Sequence, residues 1–139
     1  MAFVERSTWL LPMGILLVLL LFSSSSSAVD ADAQSAALSL VKSTVDDHPI
    51  VIFSKSYCPY CKRAKGVFSS LSKAPHVVEL DLRDDGRNIQ DALFEFVGRR
   101  TVPQVFINGE HLGGSDDTVE AFKSGRLEQL LNLASGSDL

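Results

Sequence analysis

Cys58 and Cys61, the two cysteines of the chain, stand three positions apart, and their neighbours decide what those thiols can do. Just upstream, Ile50–Phe53 is a short, β-branched apolar run followed by small polar residues, which reads as a buried strand. Downstream, Ala64, Val67, Phe68 and Leu71 recur at i, i+3, i+4 and i+7 and mark one face of a helix. Cys58 therefore falls where a strand ends and a helix begins, with Pro59 suited to the first helical position. The unpaired N–H groups and positive dipole end of that helix face the sulfur, and Lys55 lies three residues upstream. Both favour thiolate, the nucleophilic form, over thiol. Cys61, one turn further into the helix, is placed to attack a disulfide formed at Cys58. The chemistry such a pair supports is redox exchange.

Composition removes the main competitors. The two cysteines lie too close in sequence to staple distant elements, and a zinc site needs two further ligands. His48, His76 and His111 are scattered singly, so no metal is expected. A net charge of −4 gives nucleic-acid binding no electrostatic support. No nicotinamide or flavin motif is visible. With 139 residues, 45% hydrophobic and 22% charged, the chain has the size and balance of one ordinary globular domain.

The elements that must hold the dithiol follow from the pattern on either side. Trp9–Phe22 is an apolar run bordered by Ser23–Ser27 and Ala28, then by the acidic, alanine-rich 29–37, which matches a secretory signal peptide over residues 1–28. Ser26 and Ala28 suit the −3 and −1 positions of a cleavage site, with Ala31 and Ala33 as a second choice. The competing reading is an uncleaved membrane anchor, although the serines dilute the roughly 20 apolar residues a span needs. A mature domain over 29–139 then opens with a short helix from about Ala33, with Ala37, Leu40, Val41 and Val45 on one face, ended by Asp46–Pro49. After the strand and the dithiol helix come a second strand at Val77–Leu80, a charged loop at Asp81–Arg87, and a helix faced by Ile89, Leu93, Phe96 and Val97 that stops at Gly98. Val105–Ile107, Asn108-Gly109 and His111-Leu112 read as a hairpin, and two short helices divided near Gly125 close the chain. Strand–helix–strand gives two parallel strands with a right-handed crossover, and the hairpin adds an antiparallel pair. The fold class is α/β, a four-stranded mixed sheet with helices on both faces.

From Ala33 to Leu133 the chain resembles a glutaredoxin of the dithiol, CPYC-containing class, with a thioredoxin-like fold. Three separated motifs carry the resemblance: Lys55 with Cys58-Pro59-Tyr60-Cys61, then Thr101-Val102-Pro103, then Gly113-Gly114-Ser115-Asp116-Asp117. Thioredoxin itself has Cys-Gly-Pro-Cys after a tryptophan and lacks the Gly-Gly-x-x-Asp element. The resemblance implies glutathione as co-substrate, a Cys58–Cys61 redox disulfide, a monomer, and glutathionylated or disulfide-containing proteins as partners.

It also implies a binding site for a ligand with two carboxylates, one ammonium and one thiol. Lys55 and Gln90 suit the glycine carboxylate, Tyr60 and Thr101 line the pocket, and Pro103, cis in the family, lets the Val102 backbone pair with the ligand's cysteine as an added strand would. Gly114 permits close approach, the Ser115 and Asp116 amides suit the γ-glutamyl carboxylate, and Asp116 or Asp117 suits its ammonium. Each also has a plainer reading: a solvated lysine, a surface tyrosine, an exposed helical glutamine, a β-branched strand-entry residue, and an aspartate that only caps a helix. Arg99 and Arg100, adjacent cations at a loop, are left outside the site. Two other classes stay open, a dimer holding a [2Fe–2S] cluster between Cys58 thiolates and glutathione, and a glutathione-groove binding module without turnover. The leader implies the secretory pathway, with a cytoplasmic or membrane-anchored protein as the alternative.

Overall fold

The computed structural model describes residues 26–135. The chain divides into two units, Met1–Asp32 and Ala33–Leu139, and the second carries the sheet. The apolar run of the expected signal peptide lies outside the described residues. Among those described, no helix is long and apolar enough to cross a membrane.

The sheet is built from β1 (Ile50–Ser54), β2 (His76–Glu79), β3 (Gln104–Ile107) and β4 (Glu110–Gly113), side by side in the order β2-β1-β3-β4. β1 and β2 run parallel, with Val51 opposite His76 and Ser54 opposite Glu79, and the connection between them holds helix α2 (Pro59–Ser70). β3 runs antiparallel to β1, pairing Ile50 with Ile107 and Phe53 with Gln104. The β3–β4 hairpin turns at Asn108 and Gly109, whose φ values of 52° and 82° are the positive pair that an Asn-Gly turn supplies.

Side chains alternate across this sheet and define two cores. Val51, Phe53 and Phe106 face one way, against Ala37, Val41 and Val45 of α1 (Ser26–Asp47) and Ile89, Ala92 and Leu93 of α3 (Gly86–Val97). Ile50, Ile52, Val105 and Ile107 face the other way, against Ala64 and Phe68 of α2, Ala121 of α4 (Ser115–Lys123), and Leu127 and Leu131 of α5 (Arg126–Ser135). Phe68 is fully buried, so its truncation to alanine is worth about 3–5 kcal/mol, enough to loosen the helix that carries both cysteines.

The expected mixed sheet with helices on both faces is therefore present, and the differences are local. α1 is already helical at Ser26, upstream of the expected start near Ala33, because alanines recur and neither Gly nor Pro interrupts Ser26–Asp47. Within it Leu38, not Leu40, packs against the core. The stretch read as the charged loop Asp81–Arg87 contributes Asp81 and Leu82 to a 3₁₀ turn at Leu80–Leu82, and α3 already starts at Gly86. Gly86 is needed there: a Cβ would stand 1.8 Å from the Leu80 carbonyl oxygen. α3 ends as expected at Gly98, whose φ of 72° lets its N–H reach the Phe94 carbonyl at 2.8 Å.

Candidate active site

The Phe53–Gln104 pairing decides where the chemistry sits. Since β1 leaves the sheet where β3 enters it, the segment after Ser54 runs beside the segment before Gln104. Cys58 lies on the first and Val102-Pro103 on the second. The Cys58 N–H donates to the Lys55 carbonyl at 3.0 Å, and this turn delivers Cys58 to the N-cap of α2. There its sulfur accepts the Cys61 N–H at 3.3 Å, so one of the helix's orphan donors points at the thiol. On the other side the sulfur lies 3.9 Å from the Val102 carbonyl oxygen.

Both cysteines are free thiols, and they are not equivalent. Cys58 keeps 9% of its surface, whereas Cys61 keeps none. Burial pushes the Cys61 thiol up, the adjoining Cys58 thiol adds to that, and the Lys55 backbone and Ser54 hydroxyl only partly oppose it. Cys61 is thereby held protonated and hidden behind Cys58, the more exposed of the two sulfurs.

Beside the dithiol is a groove of about 210 Å³ lined by Tyr60, Arg99, Thr101, Val102, Pro103, Gly114, Ser115, Asp116 and Asp117. The Val102–Pro103 peptide is cis, as the resemblance implied. The far wall is the start of α4, where Gly114 is the N-cap and the Asp117 carboxylate reaches back to its N–H at 2.8 Å. Arg99 donates to the same carboxylate oxygen at 3.0 Å. The Gly114 amide first, and Arg99 second, hold the Asp117 carboxyl below the usual carboxylate range. A Cβ on Gly113 would stand 2.2 Å from Asp117 Oδ2, so that cap requires a glycine there. Ser115 is buried with an unpartnered hydroxyl oxygen, and Asp116 is 87% exposed on its side chain, paired with Arg63 at 2.9 Å. The choice between the two aspartates is thus reduced to geometry, with Asp117 engaged as a cap and Asp116 facing outward.

Lys55 and Gln90 line a different depression, of about 390 Å³, with Tyr57, Leu80, Asp81, Gly86 and Arg87. It is tied to the groove through the backbone, since Gln90 Nε2 donates to the Arg100 carbonyl at 2.6 Å, one residue before Thr101. Eight of the residues read as ligand contacts therefore share one groove, and two stand next door. A larger depression, of about 560 Å³, is lined by residues 46–49 and 107–110 with Leu130 and Leu133, and holds no cysteine. Two residues escaped the sequence reading. Arg99, set aside as solvated, lines the groove and braces Asp117; its place two residues before Val102-Pro103's Thr101 neighbour was the available signal. Asp81 accepts the Ser56 N–H at 2.8 Å and the Ser56 hydroxyl, pinning the dithiol loop to the turn after β2; it sits 25 positions away, and no spacing announces it.

A parallel βαβ unit with a Cys-x-x-Cys at its strand-to-helix junction, facing a cis-proline, defines a dithiol–disulfide oxidoreductase of thioredoxin-like fold. Residues 50–112 match the glutaredoxin family model. The chain is 61% identical to Glutaredoxin-C4 of Arabidopsis thaliana over 112 residues, covering 81% of this chain and 83% of that one. It is 63% identical to Glutaredoxin-C8 of Oryza sativa subsp. japonica over 111 residues, covering 78% and 82%. Among solved structures, a buckwheat glutaredoxin–glutathione complex superposes with a TM-score of 0.73 at 40% identity, over 75% of this chain and 94% of the other. The chain belongs to the glutaredoxin family, the glutathione-dependent thiol–disulfide oxidoreductases.

Proposed function

We propose that Cys58 is the nucleophile and Cys61 the resolving thiol, with glutathione seated in the groove between Tyr60 and the start of α4. The observation that carries this reading is the placement of the Cys58 sulfur, capped by the Cys61 N–H and 3.9 Å from the Val102 carbonyl at the groove, with Cys61 buried behind it. The buckwheat relative solved as a glutathione complex supports the choice of ligand. Cys58 thiolate attacks the glutathione sulfur of a protein–glutathione mixed disulfide; the protein thiolate leaves and takes up a proton, and a Cys58–glutathione disulfide remains. A second glutathione thiolate attacks that sulfur, releasing glutathione disulfide and restoring Cys58. With a protein disulfide, Cys58 thiolate attacks one sulfur and expels the other as a thiolate. Cys61 then gives its proton to that thiolate and attacks the Cys58 sulfur, expelling the second substrate thiolate and closing a Cys58–Cys61 disulfide, which two glutathiones reduce with release of glutathione disulfide. Within the groove, the Val102 backbone pairs with the ligand's cysteine, the Ser115 and Asp116 amides take the γ-glutamyl carboxylate, and the Asp116 carboxylate takes its ammonium; Lys55 and Gln90 attract the glycine carboxylate from the side.

The test is turnover of a glutathionylated peptide by the purified full-length chain with glutathione as reductant. Turnover that vanishes in Cys58→Ser is the expected result, and turnover retained by Cys58→Ser overturns the assignment.

The same proposal makes the protein a monomer and residues 1–28 a secretory signal peptide, supported by the apolar run Trp9–Phe22 and its small-residue border. In an oxidising lumen at about −180 to −210 mV, a glutaredoxin-like dithiol of roughly −200 to −230 mV favours the disulfide about fivefold. Expression of the full chain with a C-terminal tag, thiol trapping and fractionation test this. A cytosolic, fully reduced protein retaining residues 1–28 is the refuting outcome.

A further inference from the structure

Gln104 is a fully buried polar side chain at the first position of β3, directly after the cis-proline. Burying an amide costs stability unless each of its groups is bonded, so its partners carry information. Its Nε2 donates to the Thr101 carbonyl at 2.7 Å and approaches the Thr101 hydroxyl at 3.3 Å. Its Oε1 stands 2.7 Å from Nε2 of His111 on β4. His111 lies opposite Phe106 in the sheet, with its ring 5.0 Å from that of Phe106. Gln104 and Phe106 are two apart on one strand and so project to the same face, which is how a β4 side chain comes to touch an amide at the head of β3.

The 2.7 Å bond to the Thr101 carbonyl fixes the amide orientation, because a carbonyl oxygen only accepts and only the NH₂ end can donate to it. That leaves Oε1 toward His111, and a carbonyl oxygen can only accept. His111 Nε2 must then carry a hydrogen. Protonation of the ring adds its proton at Nδ1 and leaves the Nε2–H bond in place. Burial and Arg99 favour the neutral ring while Asp117 opposes them, and Arg99 and Asp117 are the charges that act on it.

We infer that His111, acting through Gln104, is a positioning residue for the Thr101–Pro103 wall of the glutathione groove. The inference rests on the reading that this wall binds glutathione. His111 contacts neither the dithiol nor the groove; its Nε2–H holds the amide, and the amide holds Thr101, whose carbonyl leads directly into the Val102 peptide. With the donor lost, Gln104 Oε1 is left buried and unsatisfied, or the amide turns over and points oxygen at oxygen toward the Thr101 carbonyl. Either outcome loosens the segment that pairs with the ligand and leaves the Cys58 turn alone.

The test uses the full-length chain and three readouts. First, ¹⁵N NMR of the imidazole in the wild type should show the neutral Nε2–H tautomer with a slowly exchanging proton; a dominant Nδ1–H tautomer overturns the network by itself. Second, His111→Phe, which keeps an aromatic ring against Phe106, should raise KM for a glutathionylated peptide by about fivefold, the lower end of the effect of an unsatisfied buried acceptor. kcat and the rate of Cys58 alkylation by iodoacetamide should stay within about twofold, and His111→Gln, which restores an N–H donor, should recover at least half of the lost affinity. Third, Gln104→Met should show a similar rise, and the double variant no more than either alone, since both act through one chain of bonds. An unchanged KM, additive effects in the double variant, or a fall in kcat that matches the rise in KM each refute the inference. Should His111→Phe fail to fold, the wild-type tautomer and the Gln104→Met and His111→Gln kinetics still decide it. Absence of wild-type turnover with glutathione defeats the functional reading instead, while the NMR result judges the network independently.

Discussion

Asp116 and Asp117 are neighbours of the same type, and the structure assigns them opposite consequences. Asp117→Ala removes the carboxylate that accepts the Gly114 N–H at 2.8 Å, together with its pair to Arg99 at 3.0 Å. Loss of a helix cap costs about 0.5–2 kcal/mol, and an exposed ion pair adds about 0–1. A total near 1.5 kcal/mol lowers Tm by about 6–12 °C for a domain of this size. The sign with pH follows from the depressed carboxyl. Its stabilisation is complete above the ordinary value of 3.8 and is lost as pH falls through the lower folded value, so the Tm gap between wild type and variant closes only in strong acid. Asp116→Ala should behave in reverse. Its side chain is 87% exposed and its pair with Arg63 is a surface one, so stability changes by less than about 0.5 kcal/mol. Glutathione use, however, loses about 1 kcal/mol, the low end for a charged partner left unmatched, because solvent screens the exposed carboxylate; KM then rises roughly fivefold. Thermal melts from pH 3 to 8 and steady-state kinetics on both variants measure these effects. If Asp117→Ala raises KM at unchanged Tm while Asp116→Ala lowers Tm at unchanged KM, the division of labour drawn from the geometry is wrong.

Cys61→Ser should retain reduction of glutathione mixed disulfides and lose dithiol-dependent reduction of protein disulfides, measured side by side on the two substrates; loss of both would show that Cys61 does more than resolve. Gly86→Ala should destabilise the domain by roughly 3 kcal/mol, the upper end of overpacking, because its Cβ meets the Leu80 backbone oxygen at 1.8 Å and neither backbone can yield cheaply; a urea midpoint equal to wild type would contradict this. His48 and His76 stack with ring centroids 3.9 Å apart, and burial, then the charge of His48, lowers the His76 pKa. The unfolded chain therefore binds the proton more readily, and stability should fall as pH drops from the ordinary value of 6.5 through the lower folded value. His48→Gln should flatten that slope, and an unaltered Tm-versus-pH profile below pH 7 would remove the pair as its cause.

Much of this molecule is local, and local structure is legible in the chain. The β-branched apolar run at Ile50–Phe53, Pro59 after Cys58, Asn108-Gly109 and Gly98 each specify their own backbone through sterics or hydrogen bonding among near neighbours, and each appears where the pattern puts it. The order of elements then leaves few ways to lay out a mixed sheet, so the fold and the dithiol junction follow from sequence. Element ends are less legible, as at Gly86, because helix propensity alone does not say where a helix will start. What needed the tertiary structure was every contact made across the sheet or between loops. The antiparallel register that sets Phe53 against Gln104 brings Val102 to the Cys58 sulfur, 44 positions away. Asp117 is a cap and Asp116 an outward carboxylate because the Gly114 N–H and Arg99 bind the one, with Gly113 leaving it room, and Arg63 meets the other. Asp81 reaches Ser56 and His111 reaches Gln104 only once the sheet exists. A side chain's own identity states what bonds it can make; which partner it finds is settled by strand register and packing, and those are properties of the whole chain.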